Sequence, residues 1–236
     1  MSNSDIGDFY FGISNKKIYI CFFEKGKNEY LNKVTFDIPD DLVNDLNFKI
    51  ISDLLKVNIR KIEKKLGFFL NCGNISIQSK SNQSIKFSIK NIFDEKIIEK
   101  RVVTNLIQSE IQKFFNNDKK LFIAHIIINK YVIDDKVYNF LPTNIKFRKI
   151  ILEIEFICLD KNLINKIKGL FNECKINLNK IVSYEYAKKF LDDSNDETMC
   201  LSAHKVLNGA NQSEVYLQEE KSKKSNIFDT IFNFFD

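Results

Sequence analysis

The chain has 236 residues, with a hydrophobic fraction of 44%, an aromatic fraction of 13%, and 36 basic against 31 acidic residues for a formal charge of +5. That length and apolar content suit one large domain or two small ones with a real core, and they exclude wholesale disorder. Lys dominates the basic set and both signs are interleaved along the chain, so the concentrated basic face of a nucleic-acid binder is missing and no nucleic-acid partner is expected.

In chain order, Phe9–Phe23 reads as a strand that hairpins at Glu24–Asn28 to a second strand over Tyr30–Ile38. Leu46, Ile50, Ile51, Leu54, Leu55, Ile62 and Leu66 then recur at helical spacing, and Gly67 closes that helix. Phe68–Cys72 reads as a buried strand. Ile75–Gln78 and Ile85–Ile89 alternate with polar residues across Lys80–Ser84, the pattern of a hairpin. Asp94–Phe115 carries Ile97, Ile98, Val102, Leu106, Ile107 and Ile111 on one helical side. Leu121–Asn129, Tyr131–Ile133 and Lys149–Leu159 read as strands. Asp160 can cap a helix over Lys161–Cys174, Ile176–Val182 returns as a strand, and Tyr184–Leu191 is a short helix. From Asp192 to Asn226 charges, Ser and Asn dominate, which reads as a linker with at most a turn of helix or a short strand.

Catalytic signals are absent. The five cysteines, Cys21, Cys72, Cys158, Cys174 and Cys200, are widely spaced with no C-x-x-C pair, so neither zinc nor structural disulfides are expected. His125 sits in an apolar strand run and reads as a packed or partly exposed imidazole. His204 falls in the weakly patterned tail. The pairs Asp40-Asp41, Asp134-Asp135 and Asp192-Asp193 flank turns and read as solvated caps. No P-loop, G-x-S-x-G or G-x-G-x-x-G occurs, and no enzyme activity, cofactor or metal is expected. No signal-peptide pattern is visible, and no apolar run approaches the roughly 20 residues of a membrane span.

The stretch Ile227–Asp236 carries the strongest pattern. At about 100° per residue, Ile227, Phe228, Ile231, Phe232, Phe234 and Phe235 fall within an arc of roughly 160°, with Asp229, Thr230, Asn233 and Asp236 opposite. Such a helix either docks on the folded body or lies on a membrane surface. The polar run before it and its four Phe favour the membrane. Lys221, Lys223 and Lys224 are offset by Glu219, Glu220, Asp229 and Asp236, so they play a minor part and apolar burial must supply the affinity.

Two segments resemble the FtsA family of actin-like cell-division proteins. Leu121-Phe-Ile-Ala-His-Ile-Ile-Ile-Asn-Lys-Tyr-Val-Ile-Asp134 is similar to that family's strand entering a Y-x-I-D turn. The order Asn144–Ile157 followed by Asn162–Leu178 is similar to the rest of its 1C subdomain. The resemblance implies an α+β fold: half of an actin-like (ribonuclease-H-like) domain with a 1C-like subdomain and a C-terminal amphipathic membrane helix. It divides the chain into a partial 1A unit at 1–92, the 1C-like unit at 93–183, a return helix at 184–191, a linker at 192–226 and the membrane helix at 227–236. It further implies a scaffold at the inner face of the bacterial membrane at mid-cell, with division proteins as partners and self-association open. The chain departs from the family at the first phosphate loop, where Gly12, Ser14 and Asn15 stand in Gly12-Ile13-Ser14-Asn15-Lys16-Lys17-Ile18. Gly12 replaces the acidic residue, and Ser14 replaces the glycine that lets backbone amides reach phosphate. No second phosphate loop follows, so ATP binding is not expected, and direct contact with FtsZ is in doubt because that site lies in a region without a counterpart here. The alternative from the same fold is a cytoplasmic scaffold of a pilus or secretion machine, and a third is a residual nucleotide-binding protein.

Overall fold

A computed structural model of the protein describes residues 6–38, 48–117, 119–191 and 198–215. Its elements in chain order are β1 (Gly7–Ile13), β2 (Lys17–Glu24), β3 (Tyr30–Asp37), α1 (Phe48–Leu66), β4 (Cys72–Ile77) and β5 (Gln83–Ile97). Then come α2 (Lys100–Asn117), β6 (Leu121–Ile133), β7 (Lys136–Tyr138), β8 (Lys146–Asp160) and α3 (Lys161–Glu173). The last are β9 (Asn177–Ser183), α4 (Tyr184–Ala187), a 3-10 turn at Lys188–Phe190, and α5 (Met199–Leu207). The fold is α+β, as expected.

Two compact units divide at Lys80/Ser81 and Lys161/Asn162, and the described residues 211–215 rejoin the second. The boundary expected at 92/93 therefore falls inside β5, and the one at 183/184 falls after a strand of the first unit. The helical periodicity of Asp94–Phe115 obscured this. Asp94–Ile97 is the end of the long strand β5, and the helix starts at Lys100.

The first unit is built on a sheet in the order β3-β2-β1-β4-β9. β1 pairs antiparallel with β2 and parallel with β4, and β4 pairs parallel with β9. Phe9–Phe23 is thus two strands, because Ser14, Asn15 and Lys16 make a tight turn in which the Ser14 amide bonds the Lys17 carbonyl at 2.9 Å. Ile75–Ile77 is not a hairpin partner of Ile85–Ile89. It lies in the centre of this sheet, whereas Ile85–Ile89 belongs to the other. Alternation alone cannot tell which neighbour a strand takes. Phe68–Cys72 is also not a buried strand: Phe69 is 81% exposed, and pairing begins at Cys72.

β1, β2 and β4 are buried almost end to end because both faces of the sheet are covered. On one face Phe11 meets Phe171 of α3 edge-on at 4.7 Å, and Phe9 and Phe22 pack at 4.9 Å beside Phe68. On the other face Tyr10 and Phe23 meet His204 of α5. Gly67, at φ +80°, ends α1 where a side chain would be strained, as the sequence indicated.

The second unit is an antiparallel sheet in the order β5-β8-β6-β7. Ile150, Leu152, Ile154 and Phe156 of β8 face its core, where Phe156 meets Phe114 of α2 at 5.6 Å and Phe87 of β5 at 4.8 Å. The β6–β7 turn, Asp134-Asp135, has both residues at positive φ (45° and 67°), the twist a two-residue hairpin needs. These carboxylates are more than solvated caps. Asp134 accepts from the amides of Arg148 and Lys149 (3.1 and 2.8 Å), and a hydrogen bond from the Lys149 ammonium holds Asp135 below the usual carboxylate range.

Phe11 is fully buried at the centre of the first unit. Phe11→Ala should lower unfolding free energy by about 3–5 kcal/mol, read as a drop in the denaturant midpoint.

Candidate functional site

The stretch Gly12–Ile18, read in the sequence as resembling a phosphate loop, forms the turn between β1 and β2. Ser14 is buried. Its Oγ accepts from the amides of Lys17 (3.0 Å) and Lys16 (3.4 Å), and its hydroxyl lies 3.2 Å from the Lys17 carbonyl it can donate to. The amide of Asn15 donates to Oε1 of Gln78 at 3.3 Å. Amides that would cradle a phosphate are therefore engaged by side chains of the protein itself.

Gly12 is placed by packing. A Cβ built on it would stand 3.0 Å from Cβ of Met199 and 3.2 Å from Cδ2 of Tyr19. The face of β1 that bears Gly12 is therefore closed by α5. This helix runs through the segment expected to be a linker and buries Met199, Cys200, Ala203, His204 and Val206. Met199 and Val206 each contribute about 1.5–3 kcal/mol by full burial. The helix escaped the sequence reading because its apolar run is only nine residues long and follows a strongly charged stretch.

His204 is accordingly a core residue. Its ring stacks on Phe23 at 4.2 Å, Nε2 lies 3.0 Å from the Lys27 carbonyl, and Nδ1 lies 3.2 Å from Nδ2 of Asn208. A neutral ring donating from Nε2 and accepting at Nδ1 satisfies both contacts. Burial pushes its pKa below the ordinary 6.5, against the opposing effects of the Lys27 carbonyl and Asp8. Tyr10, beneath the same helix, is raised above the usual phenol value by burial and then by Asp8.

The loop also forms the rim of a cavity of about 200 Å³ on the opposite face of the sheet, at the C-terminal ends of β1 and β4. Aliphatic side chains from both strands, α1 and α3 line it, and Ser14, Asn15, Gln78, Ser79 and Lys80 edge it.

In the second unit His125 is packed, as its strand context suggested, but its partner was not foreseen. Nδ1 lies 2.7 Å from Oε1 of Glu214, with both side chains at most 2% exposed. Glu214 comes from the expected linker. Residues 213–215 run antiparallel along β6, with Ile128 N–H to the Ser213 carbonyl and Val215 N–H to the Ile126 carbonyl, both at 2.9 Å.

Among the described residues no group of three potential metal ligands occurs, and no helix is long and apolar enough to cross a membrane. The expected membrane contacts Ile227, Phe228, Ile231, Phe232, Phe234 and Phe235, with Lys221, Lys223 and Lys224, lie outside the described residues, as do Asp40, Asp41, Asp192 and Asp193.

The two units so defined each carry their own sheet in an α+β chain. No protein-family model and no curated protein matches the sequence. Among solved structures the chain is similar to one from a "PilM-PilN type IV pilus biogenesis complex", at 6% identity over 79% of this chain and 50% of that one, with a TM-score of 0.47. It is also similar to a Bacteroides thetaiotaomicron protein "with actin-like ATPase fold and unknown function", at 14% identity over 79% and 55%, with a TM-score of 0.31. The chain thus spans about half the length of each, and neither likeness bears on activity or partners.

Gly12→Val should cost about 1–3 kcal/mol of stability by forcing Met199 and Tyr19 aside, measured by denaturant unfolding. Because the folded state holds His204 below 6.5, stability is complete above that pH and is lost as the pH falls beneath it. Thermal melts across pH 7 to 5 should show that loss in the native protein and a flatter profile in His204→Phe.

Proposed function

We propose that the protein is a non-catalytic, membrane-associated scaffold of the bacterial division machinery, similar to a reduced FtsA. It acts by contact through its 1C-like unit and its terminal helix. The observation that carries this reading is the self-satisfied loop at Ser14, with Gly12 closed over by Met199. A nucleotide phosphate would have to displace the Ser14 hydroxyl from the Lys16 and Lys17 amides. At the Gly12 position there is no carboxylate to organise a metal ion. A clear heat of binding with Mg-ATP in calorimetry would overturn this part.

The tether is assigned to Ile227, Phe228, Ile231, Phe232, Phe234 and Phe235. Six such side chains give an upper bound on the order of 10 kcal/mol for full burial, and partial insertion and helix ordering remove much of it. One copy then binds lipid weakly and reversibly, and several copies on an assembly bind firmly through effective concentration. Liposomes of phosphatidylethanolamine and phosphatidylglycerol should sediment the full chain and leave a chain ending at Ser225 in the supernatant. Equal sedimentation of the two removes the tether. A fluorescent fusion should form a band at mid-cell, whereas polar or scattered foci would favour a pilus or secretion scaffold that meets a membrane protein instead of lipid.

A further inference from the structure

Beneath the β1–β2 loop lies a partly open cavity of about 200 Å³. It is smaller than the roughly 300–1,000 Å³ of sites for drug-sized ligands. Its described walls are aliphatic, with Ile13 and Ile77 from the strand ends, Ile51 from α1, and Ile167 and Leu170 from α3. Among the described lining residues there is no aromatic ring to stack on a base or a ring. The rim is polar, and among the described lining residues Lys80 is the single charged one, with no carboxylate beside it. The position is one that open sheets commonly use for ligands, beyond the carboxyl ends of adjacent parallel strands.

We infer that this cavity binds a compact aliphatic chain ending in an anion. The chain lies among Ile51, Ile77, Ile167 and Leu170, and the anionic head lies at the Lys80 ammonium and the Ser79 side of the rim. An apolar cavity of about 150 Å³ accommodates benzene, so this volume takes a chain of about six to eight carbons. A carboxylate and a phosphate monoester both satisfy the charge at the rim. An ammonium head would face Lys80 with like charge. This assignment is independent of the tail and of lipid binding by it.

The test uses the full chain with sodium octanoate, hexyl phosphate and octylammonium chloride, each below its aggregation concentration, read by thermal melting and calorimetry. Octanoate, hexyl phosphate or both should raise the melting temperature by several degrees at saturation, and octylammonium should not. A response to octanoate alone identifies a carboxylic acid ligand, and a response to hexyl phosphate alone a phosphate monoester. Lys80→Glu, at an exposed position, should weaken anion binding about tenfold or more. Ile167→Phe fills the cavity and should abolish binding. No shift with either anion overturns the assignment, as does an equal shift with octylammonium or undiminished binding in Lys80→Glu. Because Lys80→Glu leaves the core untouched, the outcome does not depend on whether Ile167→Phe folds.

Discussion

The first unit depends on one strand being covered from both sides. β1 carries Phe9 and Phe11 to one face of the sheet and Tyr10 and Gly12 to the other, and it has β2 and β4 along its edges. Neither face can be altered alone. The face bearing Phe11 is closed by α3, which follows the second unit in the chain, and the face bearing Gly12 is closed by α5, later still. The contacts that complete this core therefore span most of the sequence, with Cys200 Sγ reaching the Tyr10 carbonyl at 3.4 Å across 190 positions. Pairings of such range are slow to form and make the N-terminal strands dependent on residues beyond 160.

Local pattern recovered what local forces decide. The helices α1 (Phe48–Leu66) and α3 (Lys161–Glu173) follow from aliphatic spacing, and Gly67 marks an end because a left-handed residue is needed there. The β2–β3 hairpin and the final strand were legible for the same reason. The errors share a different cause. Ile75–Ile77 alternates as a hairpin strand would, but its partners are β1 and β9, far away in sequence. Asp94–Ile97 fits a helical stripe, yet it extends β5 because β8 offers a long partner. Nothing within ten residues of either segment encodes that choice.

The candidate site was legible in part. Ser14 and Gly12 stand out in the sequence only against the phosphate loop of the family it resembles. In the structure a hydroxyl fills the loop's amides and a methionine fills the space above the strand. His204 and Glu214 lay in a stretch dismissed for its charges and amides. Their partners, Phe23 and His125, are 181 and 89 positions away, and no pattern of period 2 or 3.6 reports such pairs. The aliphatic cavity was invisible for a further reason. Ile51, Ile77 and Ile167 each look like ordinary core residues, and only their mutual placement leaves space between them.

The short strap at 213–215 has a geometric consequence. Two backbone hydrogen bonds and a buried acid–imidazole contact pin it to the edge of β6, so the chain departs from the second unit at a defined point. Eleven residues, 216–226, separate that point from Ile227. A fully extended chain of that length spans about 36–40 Å. The strap thus fixes one end of this segment, and Ile227 lies within one such radius of a defined sheet edge. The radius is set by the covalent chain, so lengthening or shortening 216–226 would change reach without touching either end.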